Sequence, residues 1–111
     1  MKKFLLLYMA PKSAQEQMAS ADADAGKKGM DMWMAWFQKA GSAIVDGGSP
    51  TQHAATIGQS EAGIKGHVGG YSILQAENLD EVKKLLENHP HMMMPGGASI
   101  EVLELLPMPG M

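Results

Sequence analysis

Apolar positions change their period along this chain, and the changes mark its elements. Lys3–Met9 is nearly all apolar, with Phe4, Leu6 and Tyr8 on one face and Leu5, Leu7 and Met9 on the other. Apolar residues on both faces predict a central strand covered on both sides. Ser13-Ala-Gln-Glu16 matches a capping box and starts a helix. Asp22–Gly29 is small, polar and glycine-containing, which predicts a break. A helix resumes over Met30–Ala40, with Met30, Trp33, Met34, Phe37 and Ala40 at helical spacing as its core face. Gly41 suits the C-cap and Lys39 the last turn.

Ser42–Asp46 reads as a short strand closed by Gly47-Gly48-Ser49-Pro50. Gln52–Ile57 either continues it as a bent strand or pairs back as a ribbon, and Gly58–Gly69 is a polar, glycine-rich loop. Gly70–Gln75 alternates as a strand with Tyr71, Ile73 and Gln75 on one face. Asn78 and Glu81 form a second capping box, worth ~1 kcal/mol. It opens a helix over Leu79–Asn88 with Leu79, Val82, Leu85 and Leu86 as its buried stripe, stopped by His89-Pro90. His91–Ala98 is a Met/Pro/Gly connector. In Ser99–Leu106, Ile100 and Val102 share one parity and Leu103 and Leu105 the other, so this strand is either bulged or buried on both faces. Pro107–Met111 is a tail.

The order β-α-β-β-α-β is the ferredoxin-like pattern of an α+β protein, here one domain over residues 1–111. Right-handed crossovers put both helices on one face of the sheet. The other face is then uncovered although the first strand is apolar on both sides, and each buried Leu or Phe is worth ~1.5–3 kcal/mol. A second copy, sheet against sheet, is the expected cover, so a homodimer follows from the pattern. Phe4 and Leu6 are positions expected on that interface.

Composition narrows the function classes. All 9 basic residues are lysines and the net charge is −3, so guanidinium contacts to phosphate or guanine are impossible and nucleic acid is not an expected partner. With no cysteine, thiol catalysis, disulfides and Cys-ligated zinc are excluded, which fits a cytoplasmic chain. Met1–Lys3 followed by Phe4–Ala10 has the outline of a signal peptide, but the run is at the short limit and ends at Pro11. The strand reading accounts for the same residues. No segment approaches the ~20 apolar residues of a membrane span.

The topology gathers polar residues. In a β-α-β-β-α-β layout Tyr8, Asp46, His67, Tyr71, His89 and His91 fall toward one rim, and His53 joins them if Gln52–Ile57 folds back. His89 either contacts a ligand or caps the preceding helix and favours its dipole. Asp46 either orients a catalytic group or makes an Asx turn before Gly47-Gly48. His53 and His67 otherwise read as solvated loop residues. His89-Pro-His91-Met92-Met93-Met94 has donors that suit Cu(I), but its methionines equally make a pliable pocket wall. Without cysteine and without two histidines one helical turn apart, no resident metal or other cofactor is expected. Trp33, Trp36 and Phe37 read as core or pocket wall.

The chain resembles the YCII-related family of dimeric α+β barrels. The resemblance is carried by Lys2-Lys3-Phe4-Leu5-Leu6-Leu7-Tyr8, Trp33-Met34-Ala35-Trp36-Phe37, Gly47-Gly48-Ser49-Pro50 and Gly69-Gly70-Tyr71, then by Asn78-Leu79-Asp80-Glu81-Val82, His89-Pro90 and Ile100-Glu101-Val102. It implies a dimeric barrel with a pocket between sheet, helices and loops. It implies no single activity, since relatives include muconolactone-isomerase-type and dechlorinating enzymes. One branch pairs a first-helix histidine with an aspartate before the proline after the second helix. Here those positions are near Met30 and at His89, and the Asp-Gly-Pro-Phe motif of another branch is missing before Gly69. The expected function is a small-molecule-binding homodimer, a lyase or isomerase acting on a small cyclic or enolisable substrate. His89 would be its general acid/base and Asp46 or Tyr71 the orienting partner. Tyr8, Met30, Trp33, His67, Tyr71, His91 and Met92 are the expected ligand contacts. The alternative is a dimeric binding or regulatory module without turnover.

Overall fold

A computed structural model describes residues 1–10, 23–58, 67–87, 89–93 and 98–109. Its elements run β1 (Lys2–Ala10), α1 (Ala23–Ala40), β2 (Ile44–Pro50), β3 (His67–Ala76), α2 (Leu79–Leu85) and β4 (Ser99–Leu105). Short 3-10 turns occupy Gly41–Ala43 and Pro90–Met93. The strands form one 4-stranded sheet in the order β2-β3-β1-β4, each neighbouring pair antiparallel. This is a small α+β protein consistent with a ferredoxin-like arrangement, and β1 is central as its two apolar faces predict.

Register separates the two faces. Phe4 pairs with Leu74 and Leu6 with Ser72. These positions are buried with Trp36 and Ala40 of α1 and Val82 of α2, so both helices cover the same face. Phe4 and Leu6 therefore belong to the core beneath the helices, not to an outer interface. Leu5 pairs with Ile73 and Leu103, and Leu7 with Tyr71, on the opposite face. Leu103 and Leu105 remain 48% and 43% exposed there. Of the two readings of β4, the bulge is absent from its regular pairing with β1, and burial on both faces does not hold within the chain: Ile100 and Val102 pack on the helix-covered core while Leu103 and Leu105 stay partly exposed on the other face. A register shift falls instead between Tyr8 and Met9 of β1.

Several helix and strand boundaries differ from the sequence reading, and β3 already starts at His67, inside the expected Gly58–Gly69 loop. The Ser13–Glu16 cap lies outside the described residues. The break over Asp22–Gly29 does not occur within Ala23–Gly29, where α1 is already continuous. Each interior glycine costs a helix about 1 kcal/mol, less than the burial that Trp33, Trp36, Phe37 and Ala40 gain when α1 docks. The buried stripe of α1 uses Trp36 in place of Met30 and Met34, which are 63% and 52% exposed. β2 does not close at Asp46 but runs through Gly47-Gly48-Ser49-Pro50, with register shifts on both sides of Asp46. Gly48 makes this possible: its φ is +79°, and a Cβ there would stand 1.6 Å from the Tyr71 carbonyl oxygen.

Gln52–Ile57 forms neither a strand nor a ribbon. Pairing extends only one residue past β2, where Thr51 N donates to Gly69 O at 3.1 Å and its hydroxyl to Val68 O at 2.7 Å. The second capping box forms as read. Glu81 N donates to Asn78 Oδ1 at 3.0 Å, and Glu77 N donates back to Glu81 Oε2 at 2.9 Å. Yet α2 stops at Leu85, and Leu79 is 45% exposed because its side of the first turn faces away from the sheet.

Candidate functional site

The buried polar residues of the helix-covered face gather around the end of β1. Tyr8 is 4% exposed, His89 is fully buried and His91 is 5% exposed. The chain reaches this place by a tight path. His89 N donates to Leu86 O at 3.1 Å, which closes the end of α2, and Met92 N donates to His89 O at 3.0 Å, which opens the Pro90–Met93 turn. Proline then directs the chain away, so the His89 ring is turned inward over β1.

Three aromatic rings enclose that imidazole. Tyr8 stacks on it at 5.2 Å and 28°, while Trp36 and Trp33 approach with centroids at 4.3 and 4.7 Å. Trp33 also stands edge-on to Tyr8 at 4.9 Å. The two indoles are held differently. Trp36 is buried, and its Nε1 donates to Leu85 O at 2.8 Å, which satisfies a carbonyl at the end of α2. Trp33 is half-buried and has no hydrogen bond to the described residues.

The hydrogen bonds of the two histidines define their protons. His91 N donates to His89 Nδ1 at 3.0 Å, so Nδ1 is the unprotonated nitrogen. The proton of the neutral ring then sits on Nε2, which is buried without a hydrogen-bond partner among the described residues. Burial, with a smaller contribution from the charge of His91, pushes the His89 pKa down to about 4. His91 Nε2 lies 2.8 Å from Met9 O and 3.0 Å from Ser99 O. Both are carbonyls, so this nitrogen donates to each and ties the end of β1 to the start of β4.

A second polar chain crosses the sheet beside the histidines. Tyr8 donates its hydroxyl to Ser72 Oγ at 2.8 Å, and Ser72 donates onward to Gly47 O at 2.9 Å. Burial pushes the Tyr8 pKa up to about 12, so the phenol stays protonated at neutral pH. Ser72 was not singled out in the sequence. Its signal is parity, since it is the polar residue between apolar positions on the helix-covered face of β3.

Of the expected site residues, the structure brings together Tyr8, Trp33, His89 and His91. Trp36, read only as core or wall, is a full member of the cage. His91 is a clamp rather than a free contact, because its ring donor is shared by two main-chain carbonyls. The helix-cap reading of His89 is corrected too. Trp36 rather than the imidazole caps the α2 carbonyl, and a ring pushed to about 4 carries no charge for the helix dipole at neutral pH. That direction departs from the expectation of a histidine titrating near neutrality.

The remaining residues lie elsewhere. Asp46 is exposed, and its Oδ1 accepts from Gly48 N at 2.8 Å in an Asx turn, so it does not orient His89. Tyr71 pairs with Leu7 and occupies the opposite face of the sheet. His67 is exposed opposite Ala10, and His53 is exposed beside the Thr56 hydroxyl. Met30 and Met92 are 63% and 52% exposed. Met94 lies outside the described residues. Among the described residues, no group of three or more His, Cys, Asp or Glu side chains is arranged to hold a metal ion. No helix among them is long and apolar enough to cross a membrane. An open groove of about 480 Å³ lies between the start of β1 and the end of β4, lined by Met1–Lys3 and Glu104–Pro107. It sits at the far end of β1 from His89 and contains no histidine.

No family model matches the chain, and no curated protein sequence matches it. Among solved structures it is similar to the 5-chloro-2-hydroxyhydroquinone dehydrochlorinase of Burkholderia phenoliruptrix AC1100, determined in complex with 2,5-dihydroxybenzoquinone. The identity is 22%, the TM-score is 0.50, and the match covers 91% of each chain. This likeness concerns the fold alone.

Proposed function

We propose that this chain is a small-molecule-binding homodimer of the YCII-related type. In this reading it works in the cytoplasm as a lyase- or isomerase-type enzyme on a small cyclic or enolisable organic substrate. The observation that carries the reading is the fully buried imidazole of His89, whose Nε2 has no partner and whose walls are aromatic rings. A buried polar group without a partner costs ~1–3 kcal/mol, and a bound oxygen would remove that cost. The aromatic walls suit a flat apolar ligand. The solved relative of like fold was determined with a quinone, which makes 2,5-dihydroxybenzoquinone the first probe.

A binding module without turnover is the second reading, and one observation favours it. Among the described residues no carboxylate bonds to His89, and its pKa of about 4 is far from the value that suits proton transfer at neutral pH. Calorimetric titration with 2,5-dihydroxybenzoquinone, together with an assay for chloride release from a chlorinated hydroxyhydroquinone, separates the readings. Binding with turnover that His89→Ala abolishes is the expected result. Binding without turnover of this substrate or of a panel of small lactones and enolisable ketones selects the module. If none of these compounds binds at millimolar concentration, the small-molecule reading is overturned.

A further inference from the structure

The cage around His89 specifies more than a small ligand. The His91 ring is anchored at both Met9 O and Ser99 O, so its backbone is held in one place, with its N–H 3.0 Å from His89 Nδ1. An N–H directed at Nδ1 is incompatible with a proton on that nitrogen. The ring therefore has one stable neutral form, with its hydrogen on Nε2. That hydrogen faces the aromatic cage without an acceptor. A group locked in this way gives a hydrogen bond and does not take one. It acts as a neutral polarising donor, the role a fixed imidazole can play toward a carbonyl that becomes an enolate.

The cage also shows which wall can yield. Trp36 is buried and pinned to Leu85 O, and Tyr8 is buried and pinned to Ser72. Trp33 is half-buried, touches both Tyr8 and His89 edge-on, and lacks a hydrogen bond to the described residues. Of the three rings around His89 it is the one partly open to solvent, and its displacement would open His89 to a ligand lying flat against Tyr8.

We infer that His89 is a fixed N–H donor to the carbonyl or enolate oxygen of a planar conjugated ligand. That ligand takes the place of the Trp33 ring, and His91 is the positioning residue that locks the donor tautomer. The inference rests on the small-molecule reading above and narrows its ligand to molecules that offer an acceptor oxygen.

Long-range proton–nitrogen spectra of the whole chain, labelled with ¹⁵N-histidine and ¹⁵N-tryptophan, test it. The probes are 2,5-dihydroxybenzoquinone and p-xylene, a flat ring without an acceptor, and His89→Gln assigns the resonances. The expected spectrum at neutral pH shows both His89 and His91 protonated on Nε2. The quinone should move the His89 Nε2–H and Trp33 indole signals, leave the Trp36 indole in place, and bind at least tenfold more tightly than p-xylene. His91→Ala should mix the His89 tautomers and weaken quinone binding about tenfold, and His91→Gln, whose amide can reach the same carbonyls, should restore most of both. Should His91→Ala fail to fold, the tautomer of the wild-type chain still decides the matter. A proton on His89 Nδ1, or quinone binding that leaves His89 unmoved, overturns the donor assignment while the small-molecule reading stands. Failure of both probes to bind the wild-type chain and Trp33→Ala overturns the two together.

Discussion

His89 shows how burial redirects a residue's chemistry. Its pKa is about 4 in the folded chain against an ordinary 6.5, because the charged form would lose its hydration inside the cage. The unfolded chain therefore takes up a proton first as pH falls. The stability contributed by the neutral ring is fully present above pH ~6.5 and is lost progressively down to pH ~4, by at most ~3 kcal/mol. Among the described residues, the titratable neighbours that face the ring are Tyr8, which stays neutral throughout this range, and His91, while α1 contributes the Trp33 and Trp36 indoles. Urea denaturation at pH 7.5, 5.5 and 4.5 should show a steeper loss for the wild-type chain than for His89→Phe. Equal slopes in the two proteins would mean that His89 does not titrate as burial requires. Tyr8→Phe removes a buried donor to Ser72 but keeps the ring, so it should cost ~1 kcal/mol at neutral pH, with the aromatic near-UV dichroism of the cage retained.

At the scale of elements, Gly48 bears the strongest constraint. Its φ of +79° and its approach to the Tyr71 carbonyl leave no room for a Cβ. Gly48→Ala should destabilise the chain by more than ~2 kcal/mol and increase amide exchange along β2 and β3 first. Trp36→Phe should cost ~1–3 kcal/mol, since it leaves Leu85 O without its indole partner. The elements themselves were legible in the sequence, because periods of two and of about three and a half are local signals. The apolar parity of Phe4–Tyr8 and the Asn78/Glu81 box gave β1 and the start of α2. The course of β2 was less legible, since Gly47-Gly48 marks a turn and a bulge equally well, and pairing with Tyr71 decides between them. The α1 stripe uses Trp36 where the pattern offers Met30 and Met34, because Met and Trp weigh alike in a hydrophobic pattern while only docking selects the larger ring. The candidate site was half legible. Topology brought Tyr8, His89 and His91 to one end of β1, but a rim has two sheet faces. Tyr71 fell on the wrong one, and Asp46 was spent on its own turn. No local pattern reveals that Trp36 caps α2 from 49 residues away.

At the scale of the molecule, the described residues cover only one face of the sheet. The smallest extent of the chain is 19 Å, the thickness of a sheet layer and a helix layer at ~10 Å each. Both helices are spent on the side of Phe4, Leu6 and Leu74. The other side presents Leu5, Leu7, Ile73, Leu103 and Leu105 in paired register across three strands, with Lys3 and Glu101 toward its ends. A continuous apolar surface of this kind is costly in water, and a two-fold copy can bury it because like patches face like. The proposed homodimer therefore rests on the odd-numbered positions of β1, not on Phe4 and Leu6. Leu5→Asp and Leu103→Lys should each leave the helix-covered core folded while shifting the mass by light scattering from near twice 11.9 kDa toward the single chain. Phe4→Asp should instead unfold the chain, because it buries a charge beneath α1 and α2. A wild-type protein that stays monomeric at micromolar concentration would sink the homodimer, while the His89 cage, built within one chain, would remain to be probed on the monomer.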